Sequence, residues 1–470
     1  MAVYLKSNME SLNKAFRIAA GDLAGNIAPW PSLYDGTARP VILAGMEYDR
    51  PWTRDAAINT WNGAALAEPE TARNTLEAVL IKDEQYGDRI GGQYWDAVIW
   101  VTGSWHYYLY TGDRKFLERA FRIARNSLAY FEETEWDEEA GLFRGAPCYA
   151  DGISAYPERY TNVKPYHDIH FWPQFNRDKA APKGEGVPIL PLSTNCLYYN
   201  AYRLLGSMAR ELGEPEDPRW EKTARRIRES LQRFWMADKG HFRYFEDPEG
   251  GSNLQEGMGH SFALLLGIAD EEQARAVLDS QYVAPAGIPC LHPVMDRYRK
   301  EGHTGRHNGT VWPPIQAFWA EAALRRGRKE MFFHEFDSLT RAALRDGQFG
   351  EVFHPETGEE YGGLQEDPSG EISEYFLCHR QTWSATGYLR MVLSGLAGLE
   401  CSTAGLTITP CLPEGCDTLD LTGLTWRGAP LELHIRRGTL EKLRVNGRDC
   451  PAETVVAPDP EGIILERVTV

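Results

Sequence analysis

The 470-residue sequence lacks the features that mark several large classes of protein. No apolar run reaches the roughly 18 residues of a membrane-spanning helix, and residues 1–23 lack the charged and then apolar pattern of a secretion signal. Cysteine is sparse: 8 residues are scattered along the chain, and the close pair Cys411 and Cys416 has no second pair at zinc-site spacing. We therefore expect a cytoplasmic protein with reduced, mostly buried thiols, no metal and no cofactor.

Positive charge is also scarce, with 50 basic against 67 acidic residues and a net charge of -17. Nucleic acid and anionic membranes attract basic patches, so neither is an expected partner. The glycine-rich dinucleotide loop, the Walker loop and the serine nucleophile elbow are absent from the sequence. Nucleotide-binding and acyl-transfer enzymes of these kinds are therefore disfavoured.

Aromatic residues, by contrast, are abundant, with 14 Trp and 22 Tyr. Flat rings suit the apolar faces of sugars, although a large aromatic core explains the number equally well. Trp52, Arg54 and Asp55 stand together just before an apolar helical run. A sugar ring could stack on Trp52 while its hydroxyls bind Arg54 and Asp55. The alternative is a helix cap at Asp55 with a surface arginine beside it.

Apolar helical runs alternate with amphipathic ones along most of the chain. The buried runs are residues 56–66, 94–110, 192–212, 259–268, 311–325 and 382–396, and the amphipathic runs are residues 4–20, 69–81, 113–131, 219–235, 272–278 and 329–346. About six inner–outer helix pairs predict a mainly α fold, an (α/α)6 toroid whose active site lies at a loop-bearing end. A solenoid of six pairs would give the same alternation.

The pattern changes near residue 396, where apolar residues alternate with period two between Gly, Pro and Asn-Gly turns. This predicts a small antiparallel β module over residues 396–470, packed on a helical catalytic domain over residues 1–395. The module contains no obvious chemistry.

Two loops between helices offer candidate catalytic carboxylates. Asp151 lies between Tyr149 and Tyr156, and these rings would partly desolvate it and raise its pKa, as a general acid requires. The alternative is an Asx turn with the glycine that follows it. The acidic loop over residues 347–374 could supply a general base, although most of its glutamates are expected to be solvated surface charge. They are Glu351, Glu356, Glu359, Glu360, Glu366, Glu371 and Glu374.

Further pocket candidates stand at the starts of predicted inner helices. They are Tyr94, Trp95, Asp96, His307 and Trp312, although a place in the helix core is the alternative for Tyr94 and Trp95. His167, Asp168 and His170 could be metal ligands, but their spacing matches no standard site, so none is predicted.

Several of these segments resemble (α/α)6-barrel glycoside hydrolases. Residues 51–57, PWTRDAA, resemble the sugar-gripping segment of glucoamylases. Residues 305–314, GRHNGTVWPP, resemble a segment shared by family 63 glucosidases, mannosylglycerate hydrolases and the glucosidase part of glycogen-debranching enzymes. Residues 351–358, EVFHPETG, resemble the segment that carries their general base, and residues 151–154, DGIS, more weakly resemble the one that carries the general acid.

The resemblance implies an inverting, α-glucosidase-like enzyme acting on the end of a small oligosaccharide or glycoside. Asp151 would be the acid and Glu351 the base, while Trp52, Arg54 and Asp55 would hold the sugar. The sequence departs from the family pattern at two points. Asp151 is preceded by alanine rather than tryptophan. The interval between Glu351 and Trp383 is longer than in glucoamylases, so Glu374 remains the alternative base.

Three other functions remain open on the sequence. A disaccharide phosphorylase would attack with phosphate in place of water. A sugar epimerase or lyase on the same toroid would use a base such as His170, His307 or His379. A non-catalytic glycan-binding protein would need Trp52 and Arg54 but neither carboxylate. A monomer or a small homo-oligomer is expected.

Overall fold

A computed structural model describes residues 3–92, 95–164, 166–300 and 302–470. Helix is the main secondary structure of the described chain, as predicted. The helices are α1 (Glu10–Gly25), α2 (Thr53–Asn59), α3 (Ala65–Ala67), α4 (Pro69–Ala78), α5 (Ile99–Thr111), α6 (Arg114–Glu135), α7 (Trp172–Phe175), α8 (Leu192–Leu212), α9 (Pro218–Leu231), α10 (Gly257–Leu265), α11 (Glu271–Ser280), α12 (Pro313–Leu324), α13 (Lys329–Asp346) and α14 (Thr382–Arg390).

Six of these helices lie at the centre of the molecule. Helices α2, α5, α8, α10, α12 and α14 are buried on almost every side, which explains their apolar sequences. Each contacts the next in this order, and α14 contacts α2. The six therefore close on one another in a ring.

Amphipathic helices pack outside this ring. Helix α9 lies against α8, α13 against α12, and α1 against both α13 and α14. Helix α9 buries only Ala224, Ile227, Ser230 and Leu231, so its charged face is left to solvent. Helix α6 begins at the predicted cap, because a side-chain oxygen of Asp113 accepts from the backbone N–H of Phe116 at 3.0 Å.

Some predicted element bounds are wrong. The first helix begins at Glu10 rather than at residue 4, because Tyr4–Ser7 forms a strand. The apolar run over residues 94–110 becomes helix α5 only from Ile99, after a short 3-10 turn. The run over residues 56–66 is interrupted at Gly63, whose φ of 105° is not helical.

The β structure consists of one larger sheet and several two-stranded pairs. The strands are β1 (Tyr4–Ser7), β2 (Ile27–Pro31), β3 (Ala38–Ile42), β4 (Leu80–Asp83), β5 (Gly87–Ile90), β6 (Trp136–Asp137), β7 (Leu142–Phe143), β8 (Leu190–Pro191), β9 (Trp235–Met236), β10 (His241–Phe242), β11 (Phe245–Glu246), β12 (Gln255–Glu256), β13 (Leu291–His292), β14 (Leu364–Glu366), β15 (Ile372–Glu374), β16 (Leu399–Cys401), β17 (Leu406–Ile408), β18 (Thr418–Trp426), β19 (Ala429–Arg437), β20 (Lys442–Val445), β21 (Arg448–Cys450) and β22 (Ile463–Thr469).

The larger sheet has the order β1-β18-β19-β22-β20-β21. The prediction of a wholly antiparallel module is wrong, because β22 returns beside β19 in parallel, with Leu431 opposite Ile463. Strand β1 pairs with β18, so the start of the chain closes one edge of the C-terminal sheet. The predicted division into residues 1–395 and 396–470 stays a prediction.

Hydrogen bonds from the larger sheet to helix α5 join the sheet to the helical ring. The indole N–H of Trp426 donates to the carbonyl of Leu109 at 3.1 Å, and the backbone N–H of Arg427 donates to the carbonyl of Tyr110 at 2.7 Å. All eight cysteines are free thiols. Within the described ranges, no helix is both long and apolar enough to cross a membrane.

Candidate active site

A cavity of about 220 Å³ lies where α2, α5, α12 and α14 begin. Its wall is mainly aromatic and charged. The lining residues are Ala44, Tyr48, Trp52, Thr53, Arg54, Asp55, Asp96, Ala97, Tyr149, Asp151, Gly152, His167, Asp168, Arg306, His307, Trp312, Glu351, Gln365, Tyr375, Phe376, Gln381 and Trp383. The structure therefore brings together most of the site residues predicted from sequence.

The segment that starts helix α2 forms part of the floor. Trp52 precedes the helix, and Arg54 occupies its first turn, buried between two carboxylates. Its Nε lies 3.5 Å from Asp96 Oδ2, and its Nη1 lies 3.5 Å from Asp151 Oδ1. Arg54 thus contacts a predicted catalytic group directly, whereas the sequence suggested contacts to sugar hydroxyls alone.

Asp55 is the second charged residue of this segment and is 6% exposed. Burial raises the pKa of its carboxyl to about 7, although Arg54 beside it acts in the opposite direction. Its Oδ1 has no hydrogen-bond partner among the described residues. A buried oxygen in this state is costly, and a ligand hydroxyl could satisfy it.

Asp151 lies in the long segment between α6 and α7, with 32% of its side chain exposed. Burial pushes its pKa upward, but Arg54 and His307 outweigh this effect, so the pKa lies below its ordinary value. The raised pKa expected from the aromatic neighbours is therefore wrong for the ligand-free protein. The guanidinium that overrides them comes from a segment about a hundred residues away.

The backbone around Asp151 is held by unusual local geometry. Tyr149 has a φ of 73°, a strained value for a residue with a side chain, and its N–H donates to Asp96 Oδ2 at 2.9 Å. A Cβ on Gly152 would lie 2.1 Å from Gln365 Oε1 and 2.5 Å from His307 Nδ1. Only glycine fits there, so two other loops can approach the backbone beside Asp151.

Glu351 lies in the loop before α14, with 2% of its side chain exposed. Its Oε2 accepts from Arg306 Nη2 at 2.9 Å and from the N–H of Cys378 at 3.1 Å, and its Oε1 accepts from the hydroxyl of Tyr48 at 3.3 Å. These three hydrogen bonds hold the Glu351 carboxylate in one position in the cavity wall. The loop is fixed two residues earlier, where Phe349 N–H donates to a carboxylate oxygen of Asp22 at 2.7 Å.

Two predicted site residues lie away from the cavity, and a third cannot be placed. Glu374 is exposed at the end of β15 and does not line the cavity. Trp95 is buried in the core, where its indole N–H donates to the carbonyl of Pro147 at 3.1 Å. Tyr94 is outside the described residues.

His307 and Trp312 form an aromatic wall at the start of α12. Their rings stack with centroids 5.1 Å apart, and Tyr149 meets Trp312 edge-on at 4.6 Å. Burial lowers the pKa of His307 to about 3, so its ring is neutral near pH 7. Its Nε2 lies 3.9 Å from Asp151 Oδ1.

His167 and Asp168 also line the cavity, whereas His170 does not. His167 Nε2 forms a hydrogen bond of 2.9 Å with the hydroxyl of Tyr375, while His170 Nδ1 lies 3.1 Å from a carboxylate oxygen of Glu185. The described part of the chain holds no cluster of three or more His, Cys, Asp or Glu side chains arranged for a metal ion.

Other lining residues were not assigned from sequence. Tyr48 stands in the Trp52 segment and could have been found from its position alone. Gln365, Tyr375 and Phe376 belong to a polar loop without recognisable spacing. Asp22 left no signal, because helix α1 reaches the loop of Glu351 only in the folded chain.

The sequence model of the mannosylglycerate hydrolase MGH1-like glycoside hydrolase domain matches residues 48–384, more than half of the chain. The chain belongs to this family. The predicted resemblance is therefore confirmed, and residues 48–384 form an MGH1-like glycoside hydrolase domain. No curated relative matches the sequence significantly.

Solved structures share the fold at low sequence identity. The GH63 mannosylglycerate hydrolase from Thermus thermophilus with glucose is 15% identical with a TM-score of 0.59, over 80% of this chain and 99% of that one. Its complex with Tris and D-glycerate is 15% identical with a TM-score of 0.56, over 81% and 100%. The GH78 rhamnosidase of Bacillus sp. GL1 is 14% identical with a TM-score of 0.62, over 93% of this chain but only 42% of that one.

Proposed function

We propose that this MGH1-like glycoside hydrolase is an inverting glycosidase that removes an α-linked glucose or related hexose from the end of a small oligosaccharide or glycoside. The observation that carries the proposal is the cavity lined by both Asp151 and Glu351, with Trp52, Arg54 and Asp55 beside them.

In the proposed reaction, Asp151 protonates the glycosidic oxygen as the bond to the anomeric carbon breaks. Glu351 takes a proton from a water molecule whose oxygen bonds to that carbon from the opposite face. The hydrogen bonds from Arg306, Cys378 and Tyr48 would hold Glu351 in position for this step. Solvent then restores both protonation states.

Asp151 must gain its proton before it can act. The neighbouring guanidinium of Arg54 holds its pKa low in the ligand-free protein. A sugar in the cavity would cover the exposed face of Asp151 and exclude water from it, which raises a carboxyl pKa. We propose that substrate binding itself brings Asp151 to its acidic form.

The sugar ring would be held by the floor. Asp55 Oδ1 is suited to accept from a ring hydroxyl, and Trp52 offers a half-buried aromatic face. Phosphorolysis is less well supported, because the cavity is rich in carboxylates that would repel phosphate.

We also propose that the helices form an (α/α)6 toroid with the six central helices as its inner ring. The contact between α14 and α2 supports this arrangement, since a solenoid would keep its first and last inner helices apart. The catalytic loops would then lie at one end of the ring.

Hydrolysis of a panel of α-linked glucosides and mannosides tests the proposed function. Asp151→Asn and Glu351→Gln should each lower kcat by a factor of about 10² to 10⁴. Glu374→Gln is the matched control, since Glu374 is exposed and outside the cavity, and it should retain wild-type activity. Undiminished activity in both cavity variants, or no cleavage of any glycoside, would overturn the proposal.

A further inference from the structure

The rim of the cavity differs in character from its floor. Arg54, Asp55 and Glu351 are buried, whereas His167 and Tyr375 are only partly buried. Phe376 lines the cavity and yet is 60% exposed. Because Phe376 lines the cavity at its mouth, its aromatic ring is a candidate contact for the part of a substrate that extends outward.

This rim is tied to both catalytic loops. Arg306, which holds Glu351, also donates from Nη1 to the carbonyl of Phe376 at 3.2 Å. On the other side, the Tyr375 hydroxyl and His167 Nε2 lie 2.9 Å apart. Two residues after His167, the backbone N–H of Ile169 donates to the carbonyl of Asp151 at 2.9 Å. The backbone of Phe376 is therefore held next to both catalytic loops.

The charge of the lining limits which leaving group fits. Its described carboxylates are Asp55, Asp96, Asp151, Asp168 and Glu351, and its described guanidiniums are those of Arg54 and Arg306. Both guanidiniums already face carboxylates, at 3.5 Å and 2.9 Å. Burial lowers the pKa of His307 and of His167, so neither imidazole readily adds a positive charge near neutral pH.

We infer that Phe376 is a specificity-determining residue that supports the leaving group, and that the substrates are glycosides of neutral leaving groups with a flat apolar face, such as a second sugar ring. Glycosides of small organic acids fit less well, because the described lining offers an acid no cation that is not already facing a carboxylate. The inference rests on the proposed function.

Two matched comparisons of substrates test the leaving-group chemistry. The α-glucoside or α-mannoside of glycerol should be cleaved at least about tenfold more efficiently than that of glycerate, since only the latter is anionic. An α-linked disaccharide should have a KM about tenfold lower than the methyl glycoside. The α-glycosyl fluorides are included because they have almost no leaving group to bind.

Variants test whether Phe376 is responsible for the lower KM of the disaccharide. Phe376→Ala should raise KM for the disaccharide about tenfold, with a much smaller effect on the fluoride, and Phe376→Trp should restore most of the loss. Phe175→Ala is the control, since Phe175 is 45% exposed but lies outside the cavity. It should leave both KM values unchanged.

The outcomes separate this inference from the proposed function. If the fluorides are cleaved but the glycerate compound matches the glycerol compound, or Phe376→Ala affects disaccharide and fluoride alike, the inference alone is overturned. If neither the fluorides nor any glycoside is cleaved, the proposed function fails and the inference fails with it.

Discussion

Asp151 and Glu351 line the same cavity but are held in opposite ways. Glu351 is 2% exposed and receives hydrogen bonds from Arg306, the Cys378 N–H and Tyr48. Asp151 has a 32% exposed side chain, with the Arg54 guanidinium 3.5 Å and the His307 imidazole 3.9 Å from its Oδ1. A base must remain ionised and is served by fixed donors. An acid must gain a proton, and this is easier where a substrate can still change its surroundings.

The largest expected effect is a loss of kcat in variants of Asp151 and Glu351, and its dependence on the leaving group should differ between the two. Fluoride departs without a proton from an acid, so Asp151→Asn should lose about 10³-fold in kcat on a glucoside but far less on a glycosyl fluoride. Glu351→Gln should lose about as much on both. Kinetics on matched glucoside and fluoride substrates measure this. Equal losses for Asp151→Asn on both substrates would contradict its role as acid.

Arg306 should matter next, because it joins Glu351 to the carbonyls of Gly362 and Phe376. A lysine cannot reach all three, so Arg306→Lys should lower kcat about 10²-fold. Arg159→Lys is a matched control, since Arg159 joins Asp247 to the carbonyl of Gly251 outside the cavity. If the two variants behave alike in kinetic assays, the account of Glu351 is weakened.

The pKa of Asp151 should change with occupancy of the cavity. In the ligand-free protein it should titrate below its ordinary value, because of Arg54 and His307. An uncleaved thioglycoside in the cavity should raise it by at least about one unit by excluding water. Carboxyl NMR of ¹³C-labelled aspartate, assigned with Asp151→Asn, measures both values. An unchanged pKa would contradict activation by binding.

A smaller effect is expected at Asp22, which holds the Phe349 N–H and so the loop of Glu351. Asp22→Ala should lower kcat about fivefold, while Asp22→Asn keeps an acceptor and should stay within about twofold of wild type. Equal kcat in the alanine variant would show that the contact does not position Glu351.

The same residue predicts a pH dependence of stability. Burial raises the pKa of Asp22 to about 6 in the folded protein, above its ordinary value. The folded state therefore binds this proton more tightly, and the associated stabilisation is lost as pH rises through about 6. Thermal melts from pH 4 to 7 should show this loss in wild type and not in Asp22→Asn.

Local sequence predicted most of the long helices but not the pairing of strands from distant segments. Helix α8 spans Leu192–Leu212 and α13 spans Lys329–Asp346, both as expected, because uninterrupted periodicity fixes such elements. Strand β1 was missed, since its partner β18 is some four hundred residues away. The parallel pairing of β19 and β22 was missed because β20 and β21 lie between the two strands in sequence, and alternation alone does not show which strands pair.

The site shows a similar limit. Trp52, Asp151 and Glu351 were found because each stands in a recognisable short segment, and all three line the cavity. The environment of a residue was harder to predict. Neighbouring rings suggested a raised pKa for Asp151, but the charge that decides its direction belongs to Arg54, which only folding brings near.

The stereochemistry of the first product tests the central claim most directly. Proton NMR during digestion of an α-linked substrate follows the anomeric signal before mutarotation mixes the anomers. The account predicts that the β-anomer appears first and is lost in both Asp151→Asn and Glu351→Gln. First release of the α-anomer would contradict inversion by these two carboxylates.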